Sequence, residues 1–344
     1  MQKFCSNSST TSRLALFALL SLLLTACEAP LVLDAVEEAK KQHARRTDTF
    51  LAVAAQGENL YVVGSHGLVL NSNDDGASWN RQELPGYPAL IDITTCDDST
   101  VAALSFEGDV WISEDAGASW NARKVGTEET TQAITCDSSN KLWVVGAFAT
   151  ILNSADKGEN WSSYSTEEDI ILNNIQFIND DEVFVSGEFG TLMKSSDGGQ
   201  NWETMPPMQE DFYPQDMYFE NSQMGWVVGL VGVILHTSDG GRSWTPQESN
   251  TLVSLFRMEK TSGPLLVVGG EGKILGFEND QWSELDHGQT IRLYLGGIVS
   301  LQNNRVLVAG PGGILHILDM NQLKPKYAGL FDENINLAAN SEGE

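Results

Sequence analysis

The sequence predicts an all-β protein, a seven-bladed β-propeller assembled from four-stranded repeats of about 41 residues. Three observations carry this prediction. An acidic turn phrase that closes on tryptophan returns at a fixed interval. Two β-rich runs around a glycine-bracketed hairpin precede each copy. The 344 residues include 32 glycines and are 41% hydrophobic, which supplies the turns and the core of one large β architecture.

The phrases are "SNDDGASW", "SEDAGASW", "SADKGENW", "SSDGGQNW" and "TSDGGRSW", ending at Trp79, Trp120, Trp161, Trp202 and Trp244, with intervals of 41, 41, 41 and 42 residues. A sixth, "FENDQW" at Trp282, is worn down, and a seventh, "ILDMNQL", has lost its tryptophan. Upstream, "LYVVGSHGLVLNS" recurs as "LWVVGAFATILNS", "VFVSGEFGTLMKS", "WVVGLVGVILHTS", "LLVVGGEGKILGF" and "VLVAGPGGILHIL". Each reads as strand, tight hairpin and strand. A short apolar run ahead of it ("LIDIT", "NNIQF") and a polar run after the tryptophan bring the unit to four strands. Seven units fill residues 49–335.

The turn phrase has a structural job in this scheme. Asp74, Asp115, Asp156, Asp197 and Asp239 can accept backbone N–H groups within the hairpin between third and fourth strands. Gly76, Gly117, Gly158, Gly199 and Gly241 supply positive φ. The tryptophans bury large rings between adjacent units. Asp74 and Asp75 lack the alternating ligands and terminal glutamate of an EF-hand, so neither a metal nor a cofactor is expected.

The phrase Ser/Thr-x-Asp-x-Gly-x-Ser/Thr-Trp resembles the Asp-box, or bacterial neuraminidase repeat. The combined unit, best seen in residues 227–244, is similar to the photosystem II stability/assembly factor family. That resemblance implies a non-enzymatic seven-bladed propeller that helps to assemble membrane protein complexes. Its partner would be an integral membrane protein or envelope complex. Asp-box propellers also include sialidases, so the alternative is a glycan-binding or glycan-cleaving protein. A sialidase-like site needs an arginine cluster, a Tyr–Glu pair and an acid. Only Arg257 and Arg292 are placed in innermost strands, and they read as partners of channel acids such as Asp92 and Asp216. Gly-x-Ser-x-Gly and His-Glu-x-x-His motifs are absent, so no catalytic residue is assigned.

Residues 1–26 read as a signal peptide: Lys3 and Arg13 flank a polar stretch, followed by "LALFALLSLLL" and then "LTAC". The last four residues resemble a bacterial lipobox, which implies acylation of Cys27 and a lipid-bilayer anchor. Residues 27–48 form a tether and residues 336–344 an acidic tail. The expected location is the periplasmic side of a membrane. By the same resemblance an aspartate after the cysteine would imply inner-membrane retention, and Glu28 in its place leans towards the outer membrane; in a photosynthetic host the site would be the thylakoid lumen. A net charge of −27 repels phosphate backbones and argues against nucleic acid. Cys96 and Cys136 follow near-identical text, "DITTC" and "QAITC", and are read either as a disulfide or as two buried thiols.

A partner surface is suggested by the hairpin tips. Phe106, Phe148, Phe189, Leu230 and Val231 occupy the tips of units two to five, and the long loop 204–215 adds Met205, Met208, Phe212 and Tyr213. Exposed apolar clusters mark binding surfaces. Two orientations are open: outward for docking, or inward as a channel plug.

Overall fold

A computed structural model of the chain describes residues 33–96, 99–209 and 211–326. Cys27, the signal sequence and the tail 336–344 lie outside the described residues. The described residues divide at Gln42/His43 into two separate units. The first contains one described helix, Asp34–Lys40, with Lys40 and Lys41 paired to Glu37 and Glu38.

The second unit is a seven-bladed β-propeller. Its innermost strands are Phe50–Gln56, Leu90–Thr95, Thr131–Cys136, Leu172–Phe177, Pro214–Phe219, Leu255–Lys260 and Gly297–Leu301. Each neighbours the next, and the last neighbours the first, so they close around a central channel. Within a blade the strands run antiparallel in sequence order. The second strand of every blade reads as a continuous apolar run, such as "LWVVG" at Leu142–Gly146, because both faces are covered. Leu60 and Val62 face the preceding blade, while Tyr61 and Val63 face the following one.

Seven hydrophobic clusters result, one in each gap between blades. Trp79, Trp120, Trp161, Trp202, Trp244 and Trp282 each pack into the cluster shared with the preceding blade. The turn phrases fold as their composition dictates. Asp74 Oδ1 accepts the Ser72 hydroxyl at 2.7 Å and the Ser78 N–H at 2.8 Å, while Ser72 Oγ accepts the Gly76 N–H at 2.9 Å. The same pattern recurs around Asp115, Asp156, Asp197 and Asp239. These donors hold the carboxyls of Asp74, Asp156, Asp197 and Asp239 down to about 2. Gly199 adopts φ +79°, and a Cβ there would meet the Trp143 ring at 2.4 Å, so the glycine also sets blade spacing.

Three features depart from the expectation. Among the described residues the seventh blade has three strands, and Lys324–Pro325, which the period assigns to its outer edge, pairs with Leu285 and Asp286 of blade six. Ion pairs from Lys273 and Lys326 to Glu284 reinforce that placement. Met205, Met208 and Phe212 are not surface residues. All three side chains turn inward and join Phe184, Leu192 and Phe219 in the core between blades four and five, whereas Tyr213 stays exposed. Burying two thioethers and a phenyl ring removes more apolar area from water than exposing them would allow. Finally, Arg292 lies in the loop ahead of Gly297–Leu301 rather than in a strand.

Cys96 and Cys136 form a disulfide with Cα atoms 5.2 Å apart. It joins the innermost strands of blades two and three at the ends away from the hairpin tips.

Candidate functional site

The candidate site is the face formed by the hairpin tips and the channel mouth between them. In blades one and four to six the tip is a three-residue turn whose middle residue is forced into the left-handed region: His66, Phe189, Val231 and Glu271 at φ 56–63°. Phe148 in blade three has φ 54°. This conformation costs a non-glycine residue roughly 1–2 kcal/mol, and it lifts the side chain off the sheet. Val231 is 62% exposed, Phe106 56% and Phe148 41%. Phe189, Leu230 and Tyr213 are also exposed, with Phe189 and Tyr213 in tilted ring contact at 5.4 Å. The tips therefore project outward, and of those named only Phe106 and Tyr213 reach the rim of the mouth.

Sequence reasoning missed Tyr87, Leu252 and Leu293, which are exposed in loops that lead into innermost strands on this face. They extend the apolar surface beyond the arc of units two to five. Their position in those loops was the available signal.

The mouth has a structural cause. In blades one to six the innermost strand carries a β-bulge at this end, leaving one residue without a partner: Leu51, Ile91, Gln132, Asn173, Gln215 and Phe256. A bulge re-aims a side chain, and all six line a single cavity of 420 Å³ with Tyr294 and Gly296 from blade seven. Phe256 and Tyr294 meet edge to face at 5.5 Å. Glu107 and Glu188 sit at tips and accept N–H groups of Ala89 and Ile171 in their own blades.

Beneath the mouth lies a second cavity of 300 Å³, with Asn173 and Arg257 as shared walls. Its carboxylates staple neighbouring blades. Asp92 Oδ2 accepts the Ile134 N–H at 2.8 Å, Asp216 Oδ2 that of Met258 at 2.7 Å, and Glu259 Oε1 that of Ser300 at 2.8 Å. Asn174 donates to Asp216 Oδ1. Burial raises all three acids, Asp216 to about 6 and Glu259 to about 7. The Arg257 guanidinium opposes the shift at Asp92 and Asp216, as the sequence suggested. Arg292 lines neither cavity. Glu259 was missed, although it follows Arg257 by two residues and so shares its strand face.

The sequence profile of the photosynthesis system II assembly factor YCF48 matches residues 35–134, 118–210 and 165–253, more than half the chain. Among solved structures, one of YCF48 bound to a D1 peptide is 16% identical, covers 80% of this chain and 93% of its own, and superposes with a TM-score of 0.67. YCF48 from Cyanidioschyzon merolae is 17% identical, with coverage of 66% and 81% and a TM-score of 0.55. A catalytically inactive virginiamycin B lyase from Staphylococcus aureus with quinupristin is 12% identical, with coverage of 80% and 96% and a TM-score of 0.68. At these identities the structural matches establish the shared fold. No curated protein sequence matches the chain.

Proposed function

The chain belongs to the photosystem II assembly factor YCF48 family, and from that premise we propose that it is a non-catalytic scaffold which holds an extended segment of a membrane protein during complex assembly. The observation that carries the reading is the face of outward apolar tips around a mouth. Phe106, Phe148, Phe189, Leu230 and Val231 remain exposed on a protein that buries seven apolar clusters elsewhere. Apolar residues held outward on strained turns are expensive unless a partner covers them. The structure of YCF48 bound to a D1 peptide supports peptide recognition as the role of this face.

A glycan-cleaving role would require several arginines in the channel to hold a substrate carboxylate. Among the residues lining the two cavities, Arg257 is the only arginine.

The domain plan proposed around this scaffold is a signal peptide at 1–26, an acylated Cys27, a tether to residue 48, the propeller at 49–335 and an acidic tail at 336–344. The lipid would hold the protein at a bilayer on the periplasmic side, in reach of membrane-protein clients. Two acyl signals suffice for stable anchoring. Labelled palmitate should enter the wild type and not Cys27→Ser.

The client test compares wild type with a Phe148→Asp, Phe189→Asp, Leu230→Asp triple variant after crosslinking in membranes. The wild type should capture one dominant membrane complex, and the variant should lose it with an unchanged melting temperature. Capture that survives the three substitutions would refute the tip face as the docking surface.

A further inference from the structure

The bulge residues and Tyr294 divide the mouth by chemistry, with Glu188 and Arg257 also in its walls. Leu51, Ile91, Phe256 and Tyr294 form an apolar side, while Gln132, Asn173 and Gln215 form an amide side. Amides offer a donor and an acceptor together, which suits the alternating N–H and C=O groups of an extended backbone. Beneath them acidic groups outnumber basic ones. Asp92, Asp216 and Glu259 line the lower cavity, against the single guanidinium of Arg257. Arg257 acts on Asp92 and Asp216 and leaves Glu259 uncompensated, with Asp216 as its charged neighbour. One Glu259 oxygen is occupied by Ser300, and the other accepts no hydrogen bond from the described residues.

We infer that the mouth takes an extended peptide segment and admits one basic side chain of that segment into the channel, toward Glu259. This rests on the proposed scaffold function and adds the chemistry of the client residue. The strand rise of about 3.3 Å per residue places Asp92, Asp216 and Arg257 roughly 3 Å below the bulge ring and Glu259 about 10 Å below it. A long unbranched cationic side chain spans most of that depth. Its ammonium or guanidinium would pass the Asp216 carboxylate and supply the second positive charge that three acids and one arginine lack. An acidic side chain in the same place would meet like charge in a poorly solvated channel.

The test uses three end-blocked nonapeptides, acetyl-Ser-Val-Ser-Val-X-Val-Ser-Val-Ser-amide, with X lysine, norleucine or glutamate, titrated into the full propeller. The lysine peptide should bind on the order of tenfold more tightly than norleucine, and the glutamate peptide most weakly. Glu259→Gln, which keeps the Ser300 acceptor and hence the fold, should erase the preference for lysine. Equal affinity for lysine and norleucine, or a lysine preference unaltered by Glu259→Gln, would overturn the inference while leaving peptide recognition intact. Binding of none of the three would remove the mouth as a peptide site, and the tip-variant capture would then judge the scaffold function independently.

Discussion

Glu259→Gln should stabilise the propeller at neutral and alkaline pH and leave it unchanged in acid. Burial lifts this carboxyl from 4.5 to about 7. A raised acid contributes stability that is complete below its unfolded value and is lost as pH rises through its folded value. The wild type therefore forfeits stability between pH 4.5 and about 7 as the buried group is forced to ionise. At 1.36 kcal/mol per pH unit, a shift of this size amounts to about 3 kcal/mol near pH 8. Glutamine has no charge to bury and still accepts the Ser300 N–H that the carboxylate takes at 2.8 Å. For a domain this large, about 3 kcal/mol corresponds to a rise in melting temperature on the order of 5 °C. Thermal unfolding followed by circular dichroism at half-unit pH steps is the assay. The two melting curves should coincide below pH 4.5, separate through neutrality and run parallel above about pH 8. A constant offset across the range, or a gap that opens only in acid, would refute the argument that ionisation of a buried carboxylate is the cause.

Other perturbations address other parts of the fold. Gly199→Ala should cost roughly 3 kcal/mol, because its φ is +79° and the new methyl would lie 2.4 Å from Trp143. Gly86→Ala, with φ +83° and open space around it, should cost only about 1 kcal/mol, and chemical denaturation separates the two. Reducing the Cys96–Cys136 bond frees a loop of 40 residues and should lower stability by roughly 4 kcal/mol, read as a shift of the denaturation midpoint with and without reductant. Asp156→Ala, Asp197→Ala and Asp239→Ala should each lower the melting temperature at pH 7. Their carboxyls are depressed to about 2 from 3.8, so the stability they lend is present above 3.8 and lost as pH falls through about 2. The deficit should accordingly vanish in strong acid, and one that persists there would point to packing rather than charge.

The ring of blades was legible because its determinants are local and repeated. The serine, aspartate and glycine of each turn bond to one another within five residues, so the phrase reports its own geometry. The tryptophan interval sets the period, and the upstream strand–hairpin–strand signature carries the count through the blade that lacks a tryptophan. The tips were legible as glycine-bracketed turns, but whether Phe189 and Val231 at their centres point outward or into the channel was settled only by the left-handed backbone and exposure of those residues. Loop 204–215 was not. Met205, Met208 and Phe212 resemble a surface cluster until the gap between blades four and five is seen to need filling. The bulge ring was hidden because one extra residue per strand interrupts the alternation that sequence reading relies on. The diversion of Lys324–Pro325 to blade six depends on Glu284 with Lys273 and Lys326, contacts between residues some 40 or more positions apart for the strand itself.

The seam between the last blade and the first works as a clasp. Among the described residues no sheet spans it: blade one is built from residues 50–83 and blade seven from 297–319. It is fastened by the packing of Leu301, Leu307 and Ile317 against Phe50, Leu60 and Leu70, by an Arg305–Asp75 ion pair, and by a strap at residues 43–49. In the strap, Asp48 is gripped by Arg81 through both carboxylate oxygens, the Asp48 carbonyl receives the Gly313 N–H, and Thr49 bridges to Pro311. The strap is also where the chain enters the propeller. Tension drawn through residue 43 would reach this clasp before any blade, peeling contacts one at a time instead of shearing a ladder of strands. Mechanical load and ring opening therefore share one address in this molecule.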